Sequence, residues 1–211
     1  MLVSGFTFNA FSENTYLLHD DTKECVIVDP GCYSAAEQQA LQQYIEEHQL
    51  RVVLLLNTHA HIDHVLGNRF IMDTYKVPFL LHEADFATLR SVEAYAPAYG
   101  FAQYQPAEPT GALTPEEPIR FGQTELEVRF TPGHAPGHVV FYHAPTQTVI
   151  GGDVLFQGSI GRTDLPGGDY ATLINSIKTQ LLTLPDEVTV YPGHGPATTI
   201  GAERRSNPFL Q

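Results

Sequence analysis

The chain has 211 residues, 43% of them hydrophobic and 17% charged, so it is long enough to bury a sizeable core. Its net charge of −13, with only 11 lysines and arginines, argues against nucleic-acid and anionic-membrane partners, because both require a basic face. No apolar run reaches the length of a transmembrane helix, and residues 1–5 lack the start of a secretory signal, so we expect a cytoplasmic protein with no membrane partner.

The first half of the chain alternates short apolar segments with amphipathic ones. Strands are predicted at residues 2–8, 15–19, 25–28, 52–56 and 77–81. Helices are predicted from a capping box at Ser34 and Glu37 to about His48, and at about 65–75 and 84–95. Asp29 follows the third strand, where it is either a turn residue or an acceptor that orients a ligand histidine.

The densest polar cluster in the chain follows the apolar run at 52–56. The segment Thr58-His59-Ala60-His61-Ile62-Asp63-His64 holds three histidines and one aspartate within six residues. It lies where a buried strand leaves the core, which is where α/β proteins place their chemistry. Neutral imidazole and carboxylate are ligand types for zinc, iron and manganese. The spacing therefore favours a metal-binding loop over a polar loop with incidental histidines.

Residues 96–118 differ from the sequence around them. They hold five prolines and show neither a helical nor a strand period, which is typical of a functional or mobile loop. The aromatic residues Tyr99, Phe101 and Tyr104 either wall a substrate pocket or pin the loop to the body of the protein. The pattern allows both interpretations.

In the second half, short strands again end in glycine, proline or polar residues. Strands are predicted at residues 119–121, 125–130, 139–142, 148–150 and 188–191, with a helix from an Asp169 cap to about Leu182. Three of these strands are followed by a metal-ligand residue, namely His134, Asp153 and His194. The order of elements suggests two similar halves that could face each other as two sheets with helices outside.

A strand end followed by ligand-type side chains thus occurs four times. Strand ends brought to one edge of a sheet would bring these side chains together. The set comprises five histidines and two aspartates: His59, His61, Asp63, His64, His134, Asp153 and His194. Seven ligands are enough for two metal ions about 3.5–4 Å apart that share a carboxylate.

These motifs resemble those of the metallo-β-lactamase superfamily, whose fold is α/β, a four-layer αββα sandwich. The matching motifs span most of the chain, which implies one domain over residues 1–211. By position, the resemblance implies one metal ion on His59, His61 and His134. It implies a second ion on Asp63, His64 and His194, with Asp153 bridging the two ions.

The sequence is also similar to glyoxalase II-like hydrolases, in the small bacterial form without the C-terminal helical domain. The similar stretches are residues 131–141, 151–156, 158–164 and 203–209. This resemblance implies hydrolysis of a small-molecule thioester, S-D-lactoylglutathione or a related one, to the acid and the free thiol. The implied cofactors are two divalent metal ions, with zinc expected first and iron or manganese as alternatives.

Four further residues receive predicted roles. Divalent ions lower the pKa of bound water, so that it can attack as hydroxide. Asp63 would orient this water in addition to binding metal. Arg162 could bind a substrate carboxylate, but Asp164 would repel one, and the classical enzymes carry Lys and Tyr here. His138 and Asp29 are predicted to support the ligand residues rather than to bind metal.

Three other functions are compatible with the same fold. Iron-dependent persulfide dioxygenases also carry a Gly-Arg-Thr-Asp stretch, found here at 161–164, and they consume oxygen. A β-lactamase is less favoured, because such enzymes are typically exported and no signal is visible. A non-catalytic binding module is less favoured too, because all seven ligand-type residues are present.

Overall fold

The structure is a computed structural model that describes residues 1–115 and 117–211. In these residues the strands form two six-stranded sheets and a two-stranded ribbon. The first sheet contains, in spatial order, β1 (Leu2–Phe8), β2 (Glu13–His19), β3 (Glu24–Val28), β4 (Arg51–Leu56), β5 (Phe79–Leu81) and β6 (Gly111–Ala112). The remaining strands are β7 (Ile119–Phe121), β8 (Thr124–Phe130), β9 (Val139–His143), β10 (Thr148–Gly152), β11 (Leu155–Phe156), β12 (Ser159–Ile160), β13 (Thr189–Pro192) and β14 (Thr198–Thr199). The second sheet has the order β14-β13-β10-β9-β8-β7, and β11 pairs with β12.

Two helices begin at the capping residues that the sequence predicts, Ser34 and Asp169. The helices are α1 (Ala35–Glu47), α2 (Ile62–Val65), α3 (Asn68–Tyr75), α4 (Phe86–Tyr95), α5 (Tyr170–Ser176), which continues as a π-helical turn over Ile177–Leu181, and α6 (Ile200–Ser206). Short 3₁₀ turns occur at Glu83–Asp85, Ala96–Tyr99 and Ala144–Thr146. Ser34 and Glu37 form the capping box of α1, and Asp169 accepts from Thr172 N at 2.7 Å to cap α5. Among the described helices, none is long and apolar enough to cross a bilayer.

Both sheets are covered on both faces, so neighbouring residues of one strand enter different cores. In β2, Leu17 packs with α1, α3 and α4 on the outer face, while Leu18 packs between the sheets. The second sheet repeats this arrangement, with Phe141 of β9 between the sheets and Val140 against α5. The layers are therefore helix, sheet, sheet and helix, which confirms the predicted αββα sandwich.

The direction of the strands places the polar loops at one rim. Strands β3, β4 and β5 are parallel to one another, and β10 is parallel to β13. The carboxyl ends of parallel strands share one edge of a sheet. A hydrogen bond of 2.7 Å from Asn14 N to Gly193 O joins the rims of the two sheets. Both rims therefore contribute to one site.

Several elements differ from the predictions, and α6, β11, β12 and β14 were not predicted. The predicted helix at 65–75 is interrupted at Gly67, so α2 and α3 are separate helices. At the interruption, Gly67 N donates to Pro30 O at 2.7 Å and the backbone of Gly67 packs against Cys32. Strand β2 begins at Glu13 rather than at residue 15. Residues 96–118 contain a 3₁₀ turn and the edge strand β6, whose two residues are too few to produce a detectable period.

Candidate metal centre

The seven predicted ligand residues lie together at the shared rim of the two sheets. Their segments are the β4–α2 loop with the first turn of α2, the β8–β9 loop, the residue after β10 and the loop after β13. Because α2 begins at Ile62, Asp63 and His64 belong to a helical turn, while His61 precedes it in extended conformation. This change of conformation separates two ligand pairs that are only a few residues apart in sequence.

The ligand atoms fall into two groups. The first trio is His59, His61 and His134, and the second trio is Asp63, His64 and His194. Within each trio, one ligand atom per residue lies within 4.8 Å of the other two. His61 Nδ1 is 2.8 Å from His134 Nε2, and His194 Nε2 is 3.1 Å from Asp63 Oδ2. Each trio could hold a metal ion.

Asp153 lies between the two trios. Its Oδ2 atom is 3.5 Å from Nε2 of His134 in the first trio and 3.5 Å from Nε2 of His194 in the second. Its Oδ1 atom is 3.5 Å from Nε2 of His64. A Cβ atom on Gly193 would overlap this carboxylate, so only glycine lets the loop after β13 approach so closely. The carboxylate is thus placed where it could be shared by ions in both trios.

Several histidines are oriented through the nitrogen that faces away from the centre. His64 Nδ1 is 3.2 Å from Asp29 Oδ2, and His59 Nδ1 is 3.0 Å from Thr58 Oγ1. His134 Nδ1 is 2.8 Å from the carbonyl oxygen of Arg162, and His194 Nδ1 is 3.1 Å from that of Phe11. An imidazole held in this way presents its other nitrogen as a lone pair to a metal ion.

The two trios differ in their protonation. Burial lowers the pKa of His59, His61 and His134, and brings that of His61 to about 3. In the second trio burial also disfavours the charged form, but Asp153 and Asp63 outweigh it and raise the pKa of His64, and that of His194 to about 10. The histidines of the first trio are therefore neutral at pH 7, while the carboxylates of the second trio favour positive charge at His64 and His194, which a bound cation would supply in place of protons.

The donor set fits divalent metal ions. Among the described residues, His59 Nε2, His64 Nε2 and Asp153 Oδ1 are buried and have no hydrogen-bond partner. Leaving such an atom without a partner costs about 1–3 kcal/mol, so three of them together call for a ligand that binds lone pairs. Imidazole nitrogens with carboxylate oxygens suit zinc, iron and manganese. The site is thus suited to divalent cations.

Asp29, one of the two predicted supporting residues, lies behind the second trio. Asp29 is buried and accepts hydrogen bonds from Thr58 N at 2.7 Å and Thr58 Oγ1 at 2.6 Å, besides its contact with His64. Its ligand atom also lies within 4.8 Å of one on His59 and one on His64. Both Asp29 oxygens thus accept hydrogen bonds from the β4–α2 loop, as the prediction of a supporting role requires.

His138, the other predicted supporting residue, lies behind the first trio. Its Nε2 atom accepts a hydrogen bond of 3.0 Å from the backbone N–H of Asp153, and its Nδ1 atom is 3.2 Å from Thr131 Oγ1. Its ring stacks on His59 with the centroids 4.7 Å apart. Both ring nitrogens are therefore occupied by protein atoms, and burial lowers the pKa of His138 well below its usual value.

Arg162 lies at the edge of the site, but its guanidinium is bound to a neighbour. Nε and Nη2 donate to the two oxygens of Asp164, each at 2.7 Å. The prediction was that Arg162 could bind a substrate carboxylate while Asp164 would repel one. In the structure the two side chains pair with each other, because residues two apart in this exposed loop point the same way.

Asp85 is a buried residue beside the site that sequence reasoning missed. It is buried, and its Oδ2 atom accepts from Ala60 N at 2.8 Å while Oδ1 accepts from Gly137 N at 2.7 Å. One carboxylate thus joins the loop of His59 and His61 to the loop of His134. The sequence did contain a signal for this residue, because Asp85 follows the end of β5 just as the predicted ligand residues follow the ends of their strands.

Two more residues were missed because their partners are distant in sequence. Glu13, predicted to lie in a turn, is fully buried with its Oε1 atom 3.9 Å from His64 Nδ1, and burial raises the pKa of Glu13 well above its usual value. Asn14 Nδ2 donates to the carbonyl oxygens of Pro192 and Gly195 at 3.1 and 2.8 Å. Asn14 thus holds the loop of His194 against β2, and the backbone of Glu13 forms a β-bridge with His194.

Replacing Asp85 by asparagine should lower metal affinity by about 10- to 100-fold, the range seen when a residue supporting metal ligands is lost. The amide would place an N–H group against one of two backbone N–H donors, so the two ligand loops would separate. Metal content after dialysis against graded chelator measures this effect. Glu83→Gln, in the same 3₁₀ turn, is the control. Equal metal retention in both variants would contradict the role of Asp85.

A cavity of about 1080 Å³ opens over the centre. Five of the seven ligand residues line it: His61, Asp63, His134, Asp153 and His194. From residues 96–118, Tyr99 lines the cavity, whereas Phe101 is buried in the core under that segment. Tyr104 also packs against this core, so Phe101 and Tyr104 pin the segment to the body, while Tyr99 is placed where it could contact a substrate; residue 116 of the segment lies outside the described residues.

Comparison with known proteins agrees with this geometry. The family model of the metallo-β-lactamase superfamily matches residues 9–194. Hydroxyacylglutathione hydrolase GloC of Haemophilus influenzae is 41% identical over 203 residues, which cover 95% of this chain and 94% of that protein. The crystal structure of BLEG-1 B3 metallo-beta-lactamase is 38% identical with a TM-score of 0.90 and covers 100% of both chains. TTHA1623 in a di-iron-bound form is 38% identical with a TM-score of 0.85, over 99% of this chain and 100% of that one. This chain belongs to the metallo-β-lactamase superfamily.

Proposed function

We propose that this protein is a metal-dependent thioesterase of the glyoxalase II type. It would hydrolyse S-D-lactoylglutathione or a related small-molecule thioester to the acid and the free thiol. The observation that carries this proposal is the position of Asp153, which lies 3.5 Å from a nitrogen atom of each trio at the floor of a large cavity. The name of the Haemophilus influenzae relative supports the choice of a thioester as substrate.

The proposed cofactors are two divalent ions, one held by each trio, with Asp153 shared between them. Zinc is the first choice, and iron and manganese are alternatives; the di-iron form of TTHA1623 supports iron. Such ions lower the pKa of water and polarise a carbonyl group, which is the chemistry that thioester hydrolysis requires.

The residues of the chain position the reactants around these ions. Asp63 lines the cavity, and His194 Nε2 fixes its Oδ2 atom at 3.1 Å, so we assign Asp63 to orient the attacking water. Asp29 and His138 are assigned to hold His64 and Asp153 in place. A thiolate leaves readily, so no strong general acid is needed. Because both sheets supply ligands, residues 1–211 would act as one domain.

A persulfide dioxygenase is the second candidate, favoured by Gly161-Arg162-Thr163-Asp164 directly over the site. In such an enzyme a single iron would serve, and oxygen would be consumed. The ligand residues suit both reactions, so the reaction itself has to be measured. The BLEG-1 neighbour makes β-lactam hydrolysis a third reaction to include.

The test uses purified protein loaded separately with zinc, iron(II) and manganese. S-D-lactoylglutathione, glutathione persulfide and a chromogenic cephalosporin are supplied in turn, while free thiol, dissolved oxygen and metal content are recorded. We expect thiol release from the thioester without oxygen uptake. Oxygen uptake with the persulfide, or turnover of the cephalosporin alone, would contradict the thioesterase assignment.

A further inference from the structure

The cavity over the metal centre is walled mainly by apolar and aromatic side chains. Phe11, Tyr95, Tyr99 and Phe156 line it, together with Ile62 and Leu165. Phe11 and Tyr99 are 41% and 56% exposed, and their ring centroids are 6.1 Å apart at the mouth of the cavity. Large exposed aromatic surfaces beside a site are typical of contacts with an apolar ligand.

Positive charge is scarce in the same cavity. Of the 11 lysines and arginines in the chain, all of them within the described residues, Arg162 alone lines it. The carboxylates of Asp63 and Asp153 also line it, and the chain carries a net charge of −13. A substrate with free carboxylates would therefore meet few groups that attract it outside the metal centre.

The single arginine of the cavity is already paired with a carboxylate. Arg162 and Asp164 form a two-bond ion pair with both distances at 2.7 Å, which is the strong geometry for guanidinium and carboxylate. Their side chains are 61% and 67% exposed, so water and salt weaken the attraction between the two charges, but the attraction remains. A substrate carboxylate could bind Arg162 only by displacing Asp164.

We propose that the cavity selects thioesters whose non-reacting groups are uncharged and apolar, with an aromatic group against Phe11, Tyr99 and Phe156. The inference rests on the proposed thioester hydrolysis and names its substrate class. Water adds to the thioester carbonyl, the carbon–sulfur bond breaks, and the products are a carboxylic acid and a thiol. Glutathione thioesters, which carry two carboxylates, would still be hydrolysed, as proposed above, but more slowly than uncharged thioesters.

The first measurement compares two thioesters with the same acyl group. The phenylacetyl thioesters of benzyl mercaptan and of glutathione present the same carbonyl but differ in the charge of the thiol portion. With metal-loaded protein and thiol release as the readout, we expect kcat/KM for the benzyl thioester to be at least about tenfold higher. Differences of this size are typical of apolar groups in an apolar pocket.

The second measurement breaks the ion pair between Arg162 and Asp164. In Asp164→Asn the guanidinium of Arg162 becomes available to glutathione carboxylates, so the glutathione-to-benzyl ratio of kcat/KM should rise about threefold to fivefold. The rise should vanish near 1 M salt, where the screening length falls to about 3 Å, and in Asp164→Asn combined with Arg162→Gln. Asp73→Asn, which frees Arg69 outside the cavity lining, should leave the ratio unchanged.

The outcomes distinguish the proposed substrate class from thioester hydrolysis itself. A benzyl preference together with a ratio that rises in Asp164→Asn supports the substrate class. A preference of the native protein for the glutathione thioester, or an unchanged ratio in Asp164→Asn, overturns the substrate class and leaves thioester hydrolysis standing. Absence of thiol release from both compounds by metal-loaded protein overturns thioester hydrolysis itself.

Discussion

Replacing His59 or Asp153 by alanine should reduce kcat/KM by at least about 1,000-fold, which corresponds to about 4 kcal/mol of transition-state stabilisation. His59 is a fully buried member of the first trio, and Asp153 lies between both trios, so each substitution removes an atom that no neighbour can replace. Thiol release from a thioester, measured with matched metal loading, provides the rate.

The controls separate loss of chemistry from loss of fold. His59→Gln and Asp153→Asn nearly keep the side-chain volume and should lose activity as the alanine variants do, with near-native circular dichroism. His48→Ala, at the exposed C-terminus of α1, should retain the native rate. Turnover within tenfold of the native rate in a folded His59 or Asp153 variant would remove that residue from the proposed metal centre.

Removing the metal ions should lower the free energy of unfolding by about 4 kcal/mol for each site that was loaded at 1,000 times its dissociation constant. For a chain of this length, that corresponds to a fall in Tm of about 8–16 °C per site. Without ions, the buried His59 Nε2, His64 Nε2 and Asp153 Oδ1 have no partner among the described residues, and they would be left unsatisfied.

Thermal unfolding before and after dialysis against a chelator measures this difference. Adding back zinc, iron(II) or manganese should restore Tm, and the ion that restores it best identifies the metal preferred in vitro. In Asp153→Ala the shift on chelation should be smaller, because the shared ligand is missing. An unchanged Tm in native protein whose metal loss has been verified by elemental analysis would show that the centre does not stabilise the fold.

The layered fold could be predicted because its strands are short and apolar and end in glycine, proline or polar residues. Runs such as Val52–Leu56 have no polar face, which indicates a sheet covered on both sides, and the structure shows neighbouring residues of β2 and β3 entering different cores. Capping residues, including Ser34 and Asp169, marked helix starts because their side chains bond locally. Weak elements such as β6 depend on pairing with a remote strand and leave little trace in sequence.

The ligand set was also visible in sequence, because each ligand sits in a short segment at a strand end. Spacing within residues 59–64 is local information, and the backbone turn that divides it into two pairs follows from the start of α2. The roles of these residues as metal ligands stay a prediction until the variants and the metal analysis are done. Their convergence is a property of the parallel strands that carry them.

What the sequence by itself determined is therefore the αββα architecture, through the order of its elements and its resemblance to the metallo-β-lactamase superfamily, and the identity of the ligand-type residues, through their local spacing. Only the tertiary structure decided how those residues are supported and what the cavity admits. Asp85 joins two loops whose bonded residues, Ala60 and Gly137, are 77 residues apart in sequence, at 2.8 and 2.7 Å, and no local pattern encodes that contact. Whether Arg162 can bind a substrate depends on the position of the Asp164 carboxylate, and the folded loop sets that position.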